Sequence, residues 1–242
     1  PKPRDCDTVS ADLPIESVWA WNRRFSPVEF IQDSSKLVLP HPDWLAHVPN
    51  GHPVRGERSL FTVEGGRCYL VRLRDDAPNV VNWTIKGPPR ARPPDWLAAS
   101  FNLVGFPVSP TAPPRFLDFF TDAPAVRNMF RLGADGQWSR VDAPGSPATL
   151  RPGEAFWAFA TTATDYAGPF RVILDQRGGL EYGRILQEQT IRIRNDSRVA
   201  RTFTVSLRES EAAPQGQEIL AGPVLLDYWD NNLSYTSGGW RP

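Results

Sequence analysis

Residues 63–71 read VEGGRCYLV, and residues 150–158 read LRPGEAFWA. The two segments carry apolar residues or glycine at matching places, and the same spacing of 87 residues continues beyond them. The matched pairs are Val63 and Leu150, Gly66 and Gly153, Tyr69 and Phe156, Val71 and Ala158, Trp83 and Phe170, and Ile85 and Val172. A constant offset indicates a duplicated supersecondary unit. Because the matched residues are packing residues, the pattern predicts architecture and identifies no reaction.

Two upstream matches extend the duplication. Leu13-Pro14-Ile15 matches residues 106–108, and residues 18–21 match residues 129–132. The second copy carries an insertion in which residues 116–120 have the apolar spacing of a short helix. Each copy therefore reads as a strand, a loop or short helix, two strands, a glycine turn and two further strands. We expect Tyr69 and Trp83 to be buried at the same places as their partners Phe156 and Phe170.

The composition indicates an all-β fold. The chain has 25 prolines and 18 glycines in 242 residues, which interrupt long helices. Short runs between these breaks alternate apolar and polar residues, as strands buried on one face do. A stiff proline-rich linker at residues 87–94 and a break at residues 176–179 separate three regions. The predicted domains are two tandem repeated β-modules at 1–87 and 95–175 and a C-terminal domain at 178–242.

The C-terminal region carries a resemblance. Leu180-Glu181-Tyr182-Gly183, a strand ending at Asn195 and another starting near Thr202 resemble the opening strands of bacterial immunoglobulin-like β-sandwich domains of the ASPM–SPD-2–Hydin type. The resemblance implies such a sandwich at 178–242. A complete sandwich takes about 100 residues and seven strands. Only 63 residues run from Leu180 to Pro242, so either the sandwich is reduced or the domain continues beyond this chain.

The two repeated modules carry a second resemblance. Residues 101–108, with the sequence FNLVGFPV, and residues 153–157, with the sequence GEAFW, resemble the paired modules of large secreted bacterial proteins. No established activity is attached to that family. The resemblance therefore implies a location, extracellular or at the cell surface, and a modular architecture.

Charge and hydropathy limit the partners. The chain has 27 basic and 27 acidic residues and a formal net charge of zero, which argues against nucleic acid as a partner. No apolar run approaches the ~18 residues of a membrane span. We expect the partners to be other domains of the same protein or neighbouring copies, joined by β-strand pairing, with glycans as a further option.

The two cysteines suggest an oxidising compartment. Offsets taken from the repeat match Cys6 to Ala99 and Cys68 to Ala155, so both cysteines are replaced together by small residues in the second copy. Such paired replacement predicts a disulfide between Cys6 and Cys68, which is typical of secreted proteins. Two unpaired thiols are the alternative.

The sequence contains few groups that suggest chemistry. His41, His47 and His52 lie close together, and three imidazoles can bind zinc or nickel. Their spacing matches no ligand pattern, so a solvated loop is the alternative, and we expect no metal and no cofactor. The chain lacks a nucleophile elbow, a zinc-protease motif and a phosphate-binding loop. We therefore do not expect an enzyme.

Tryptophan provides the remaining candidates. Most of the nine tryptophans fall on strand-like segments and are predicted to be core residues. Trp44 and Trp96 each lie in a Pro-Asp-Trp-Leu tetrapeptide that is expected to begin a short helix or turn. An exposed indole also suits sugar binding. The candidate ligand platform comprises Tyr228, Trp229, Asp230 and Trp240.

These observations favour a non-catalytic structural or adhesive segment of a secreted or cell-surface bacterial protein. The alternative is a carbohydrate-binding module that uses exposed aromatic side chains. An accessory part of a glycan-active enzyme is a third reading. A carbohydrate-binding module is expected to show coplanar exposed rings beside amides or carboxylates, which a structural segment does not need.

Overall fold

The computed structural model of the chain describes residues 4–22, 28, 31, 33–85, 93–174, 189–200, 202, 204–205, 228–230 and 239–241. The chain forms two compact units, residues 1–200 and residues 201–242. Two short helices and thirteen strands are found in the described residues. In chain order they are β1 (Arg4–Asp5), α1 (Cys6–Ser10), β2 (Ile15–Trp21), β3 (Trp44–His47), β4 (Thr62–Val63), β5 (Leu70–Leu73), β6 (Ser100–Val104), α2 (Phe116–Phe119), β7 (Val126–Leu132), β8 (Trp138–Arg140), β9 (Phe156–Ala160), β10 (Phe170–Leu174), β11 (Ile191–Asn195), β12 (Tyr228–Asp230) and β13 (Gly239–Arg241).

The expectation of a mostly β protein is confirmed, and the strand pairs among the described residues are all antiparallel. One sheet has three strands in the order β3-β2-β5, and another has four in the order β6-β9-β7-β8. The pairs β1-β4, β10-β11 and β12-β13 form two-stranded ribbons. Antiparallel neighbours need only short connections, which suits a chain that proline and glycine interrupt so often.

The two larger sheets share one core. Alternation along β2 turns Trp19 and Trp21 to one face and Val18 and Ala20 to the other. The Trp157 ring of β9 lies 5.5 Å from the Trp21 ring, in an edge contact. We call this cluster the tryptophan core, and its buried members are Trp19, Trp21, Trp44, Ala46, Phe101, Leu103 and Trp157.

Each sheet has a second core on its other face. On the three-stranded sheet, Cys6 of α1 packs with Val18, Ala20 and Leu60. On the four-stranded sheet, α2 contributes Phe116 and Phe119 to a larger phenylalanine-rich cluster. The layers of residues 1–200 are therefore a short helix, a sheet, the tryptophan core, a second sheet and a second short helix.

Corresponding contacts recur in the two sheets. The backbone N–H of Cys6 donates to the carbonyl of Phe61 over 2.9 Å, and the N–H of Phe116 donates to the carbonyl of Ala148 over 3.0 Å. Val18 of β2 lies opposite Val71 of β5, while Met129 of β7 lies opposite Ala158 of β9. Both strand pairs have a bulge just before these positions.

The glycine turns before β5 and β9 also correspond. Gly66 has a φ of 75° and Gly153 a φ of 72°. These are left-handed values, which glycine adopts without steric cost. The two turns therefore need glycine for the same backbone reason, although the sequences around them share few identities.

The helical spacing at residues 116–120 is confirmed by α2. The expected burial of the matched aromatic residues is correct for Phe156 alone. Tyr69 is half-buried, and Trp83 lies outside the strands with its indole N–H donating to the Val9 carbonyl over 2.9 Å. Phe170 is 47% exposed because it belongs to the thin β10-β11 ribbon, which lies apart from the two larger sheets.

Two further sequence matches are wrong. Leu13-Pro14-Ile15 follows α1 and leads into β2, whereas residues 106–108 precede α2. Leu13-Pro14-Ile15 therefore corresponds in place to the segment between α2 and β7, not to residues 106–108. Trp44 is the first residue of β3, not of a helix or turn, because it pairs opposite Trp21.

The predicted disulfide between Cys6 and Cys68 is wrong in this structure, where both residues are thiols. Cys6 is buried in the outer core of the three-stranded sheet, and Cys68 packs against the tryptophan core on the other face. The sheet itself separates the two side chains. The sequence match of Cys6 with Ala99 is also wrong. Phe116, not Ala99, makes the backbone hydrogen bond that corresponds to the bond from Cys6 to Phe61.

The immunoglobulin-like sandwich at 178–242 stays a prediction, because residues 175–188 and 206–227 lie outside the described residues. Within that range, β11 pairs with β10 along five residues, from Phe170 opposite Asn195 to Leu174 opposite Ile191. Arg198 also lies 3.4 Å from the Asp122 carboxylate. β11 therefore pairs with β10, a strand that the sequence pattern placed in the preceding module. No helix in the described part of the chain is long and apolar enough to cross a membrane.

Candidate functional site

An aromatic groove opens at the edge of the tryptophan core. It has a volume of about 380 Å³ and lies between β6, β7, β8 and the segment that precedes β3. Phe101, Phe130 and Trp138 supply its rings, and Ile31 closes one side. Asp33 and Gln137 complete the lining. We call these six residues the aromatic groove.

The strands place the rings of the groove. β6, β7 and β8 belong to one sheet, and the Phe101 and Phe130 rings are 5.9 Å apart with an angle of 69° between their planes. Phe101 is itself held by an edge contact with Phe159 at 5.1 Å. The two phenylalanine rings of the groove are therefore packed edge to face and are not coplanar.

Asp33 is the charged group of the groove. Its carboxylate accepts hydrogen bonds from the Ser35 backbone N–H over 3.0 Å and from the Ser35 hydroxyl over 2.7 Å. These bonds, with the ammonium of Lys36 at 3.6 Å, hold the pKa of Asp33 below its usual value. The groove thus presents an ionised carboxylate, and the exposed Gln137 supplies an amide.

A second cluster joins Asp7, His47 and Arg55. Arg55 donates two hydrogen bonds to the Asp7 carboxylate, over 3.1 and 2.7 Å, and a third to the Val48 carbonyl over 2.8 Å. His47 is 1% exposed, and its Nε2 lies 3.7 Å from the nearer Asp7 oxygen. No described residue makes a hydrogen bond to that nitrogen.

Burial controls the charge of this cluster. Desolvation lowers the pKa of His47, although the nearby Asp7 opposes the change. The hydrogen bonds from Arg55 lower the pKa of Asp7. The imidazole is therefore neutral at pH 7. With almost no exposed surface, it is poorly placed to exchange protons with a substrate, and the cluster fastens α1 to the loop after β3.

Arg131 of β7 and Glu154 of the turn before β9 form an ion pair beside the four-stranded sheet. Arg131 donates to the Glu154 carboxylate over 2.7 Å and also to the Thr149 carbonyl. Its guanidinium lies 5.3 Å from the centre of the Phe116 ring. A planar guanidinium can satisfy a carboxylate and stack on a ring at the same time. The pair ties the turn before β9 to β7 and to α2.

The three histidines do not form a metal site. His41 accepts the Asp43 backbone N–H over 3.1 Å, and His52 accepts that of Val54 over 3.4 Å. Each imidazole thus caps its own turn, while His47 is buried. Across the described ranges, no three His, Cys, Asp or Glu side chains are grouped for a metal ion.

The candidate platform of Tyr228, Trp229, Asp230 and Trp240 lies on the β12-β13 ribbon. Trp229 is directly opposite Trp240, and Tyr228 is opposite Arg241. The pairing brings the four residues onto one two-stranded element, as a shared site requires. Their role in binding stays a prediction.

Comparison with known proteins adds no assignment. The chain matches no model of a protein family, and no curated protein or solved structure is significantly similar to it. The function is therefore argued from the geometry of the chain itself.

Sequence reasoning missed the aromatic groove and both ion-pair clusters. Phe101 and Phe130 were visible as parts of apolar segments, but 29 positions separate them in sequence. Asp7 and Arg55 are 48 positions apart. No local pattern connects such residues. Only the three-dimensional structure brings them together.

Proposed function

We propose that this chain is a non-catalytic structural or adhesive segment of a secreted or cell-surface protein, built from two tandem β-modules. The observation that carries the proposal is the tryptophan core. It joins residues of both sheets, with the Trp157 ring 5.5 Å from Trp21 and 6.0 Å from Trp44. Two sheets that bury a common apolar layer resist separation, which is what a spacer under load requires.

The recurring contacts support a duplication. Three features correspond between the two sheets: the bonds that start α1 and α2, the registers of the strands that follow the two glycine turns, and the strand orders β3-β2-β5 and β8-β7-β9. Duplicated modules are common in proteins that extend and present other domains. The ion pairs support the same role, because Arg55 with Asp7 joins α1 to the loop after β3, and Arg131 with Glu154 joins β7 to the turn before β9.

Single-molecule pulling through the two ends of the chain tests the spacer role. If the two sheets are one mechanical unit, residues 1–200 unfold in one event that releases roughly 650–700 Å of chain at ~3.5 Å per residue. Two separate events of about half that length contradict the proposal. Trp157→Ala is expected to lower the force of the single event, whereas the exposed control Val199→Ala is expected to leave it unchanged.

Carbohydrate binding is the second candidate. The aromatic groove favours it by its partly exposed rings beside polar groups, although its two phenylalanine rings are not coplanar. Phe130 and Trp138 are only partly buried there, beside the carboxylate of Asp33 and the amide of Gln137. A glycan array with Trp138→Ala as the matched variant tests this reading. Binding that Trp138→Ala abolishes supports a sugar site in the groove. Binding that survives the substitution places the sugar elsewhere, and no binding removes the candidate.

A further inference from the structure

The outer edge of β5 differs from other edges of the two large sheets. Ser59 and Leu60 donate backbone hydrogen bonds to Ala46 and so cover β3. Val28 and Phe101 form a bridge that covers part of the outer edge of β6. On β5, by contrast, no described residue bonds to the side that faces away from β2.

β5 also exposes apolar side chains. Val71 is 40% exposed and Leu73 is 36% exposed. Arg72, the charged residue between them, is paired with Glu16 at 2.9 Å. Natural edges are usually blocked by lysine, proline, a bulge or a covering loop. β5 contains neither proline nor lysine, and its one charged side chain is engaged on the neighbouring strand.

The four-stranded sheet shows what such an edge can hold. β9 occupies the place of β5, because Trp157 lies opposite Phe130 as Leu70 lies opposite Trp19. The outer edge of β9 is filled by β6, which pairs with it along all five residues of Ser100–Val104. Phe101 and Leu103 of β6 enter the tryptophan core, while Val104 enters the phenylalanine-rich cluster on the other face of the sheet.

We propose that the outer edge of β5 is a strand-addition site for an extended, uncharged segment of a partner polypeptide with large apolar residues at alternate positions, as in Ser-Phe-Asn-Leu-Val. The partner strand runs antiparallel to β5, as β6 does to β9. Main-chain hydrogen bonds give affinity in this mode of recognition, and alternate side chains give specificity. The inference follows from strand pairing and holds whether the chain is a spacer or a glycan binder.

Two neighbouring features fit this occupant. Leu70 already packs against the tryptophan core, so side chains of an added strand continue an existing apolar layer. At the other end of β5, a depression of about 630 Å³ is lined by Leu13, Arg74 and Val80. The depression begins at Arg74, the residue that follows β5 in the chain.

The probe is a fluorescent peptide with the sequence of residues 98–108, titrated against the full chain by anisotropy. We expect saturable binding and about fivefold weaker binding to Val71→Lys. Val199→Lys, which changes an equally apolar exposed residue outside the edge, is expected to bind the peptide like the unaltered chain. A peptide with serine in place of its Phe101 and Leu103 equivalents is expected not to bind. Circular dichroism of each variant checks folding, and Leu73→Lys replaces Val71→Lys if the latter unfolds.

Four outcomes overturn the proposal. The first is that the peptide shows no saturable binding, and the second is that neither edge variant weakens its binding. The third is that the chain dimerises through β5 and becomes monomeric in Val71→Lys. The fourth is that all Leu70–Leu73 amides of the free chain are fully protected from hydrogen exchange. The third outcome makes a second copy the occupant. The fourth shows that another part of the chain already covers the edge.

Discussion

Replacing Trp157 with alanine tests whether the two sheets fold as one unit. Trp157 is 2% exposed and contacts tryptophans from both sheets. Removing a buried tryptophan side chain typically costs about 3–5 kcal/mol, and this figure includes the loss of its edge contacts. The free energy of unfolding of a domain is about 5–15 kcal/mol. The variant is therefore expected to remain folded but to open far more often.

The assay reads the effect in the other sheet, through the thiol of Cys6. Burial, with Asp5 and Asp7 nearby, raises the pKa of Cys6 to about 11, so the folded chain reacts slowly with a thiol reagent. In a Cys68→Ser background, labelling of Cys6 reports opening of the three-stranded sheet. A loss of about 3–5 kcal/mol speeds labelling by about two to three and a half orders of magnitude if opening is cooperative.

A local response would refute the reasoning. If Trp157→Ala destabilises the four-stranded sheet by circular dichroism while Cys6 labels at the unaltered rate, the sheets open independently. Trp138→Ala serves as the graded comparison, since Trp138 is only half-buried and lies 6.4 Å from Trp157. It is expected to speed labelling less.

Three further predictions concern charge and thiols. The lowered pKa of His47 means that, below about pH 6.5, the unfolded chain binds more protons than the folded chain. The free energy of unfolding should therefore decrease as the pH is lowered through this range, by up to about 1.4 kcal/mol per pH unit. Denaturant titrations at several pH values should show this slope, and His47→Asn should reduce it. Glu154→Gln leaves the guanidinium of Arg131 without its carboxylate and should cost about 3 kcal/mol, whereas the added change Arg131→Met should restore part of the loss; an unchanged midpoint in both variants would contradict a stabilising pair. A thiol assay of the denatured, non-reduced chain should find both Cys6 and Cys68 reactive, and a value near zero would restore the disulfide.

The local patterns predicted local structure well. The spacing at 116–120 gave α2, and the glycine at 153 marked the turn before β9, because both depend on neighbouring residues. α1 was missed. Its residues after Cys6 are Asp, Thr, Val and Ser, which are weak helix formers, and the bond from Cys6 to the distant Phe61 carbonyl starts the helix.

Long-range geometry was out of reach for the same reason. The spacing of 87 residues holds around the glycine turns, from Val63 to Val71. Earlier in the chain it changes, because 22 residues join β2 to β3 whereas only five join β7 to β8. A residue-by-residue extrapolation therefore matched Cys6 to Ala99 instead of Phe116, and the disulfide prediction rested on that match. The contact between Trp21 and Trp157 has no sequence signature other than two large aromatic residues in separate strands.

The tryptophan core has a consequence for how such a protein can grow. Each sheet conceals the tryptophan-bearing face of the other, so a single sheet on its own would present a large apolar surface to water. A fragment that carries either sheet alone should therefore aggregate in water. Residues 1–200 should be expressed, moved or fused to other proteins only as one piece.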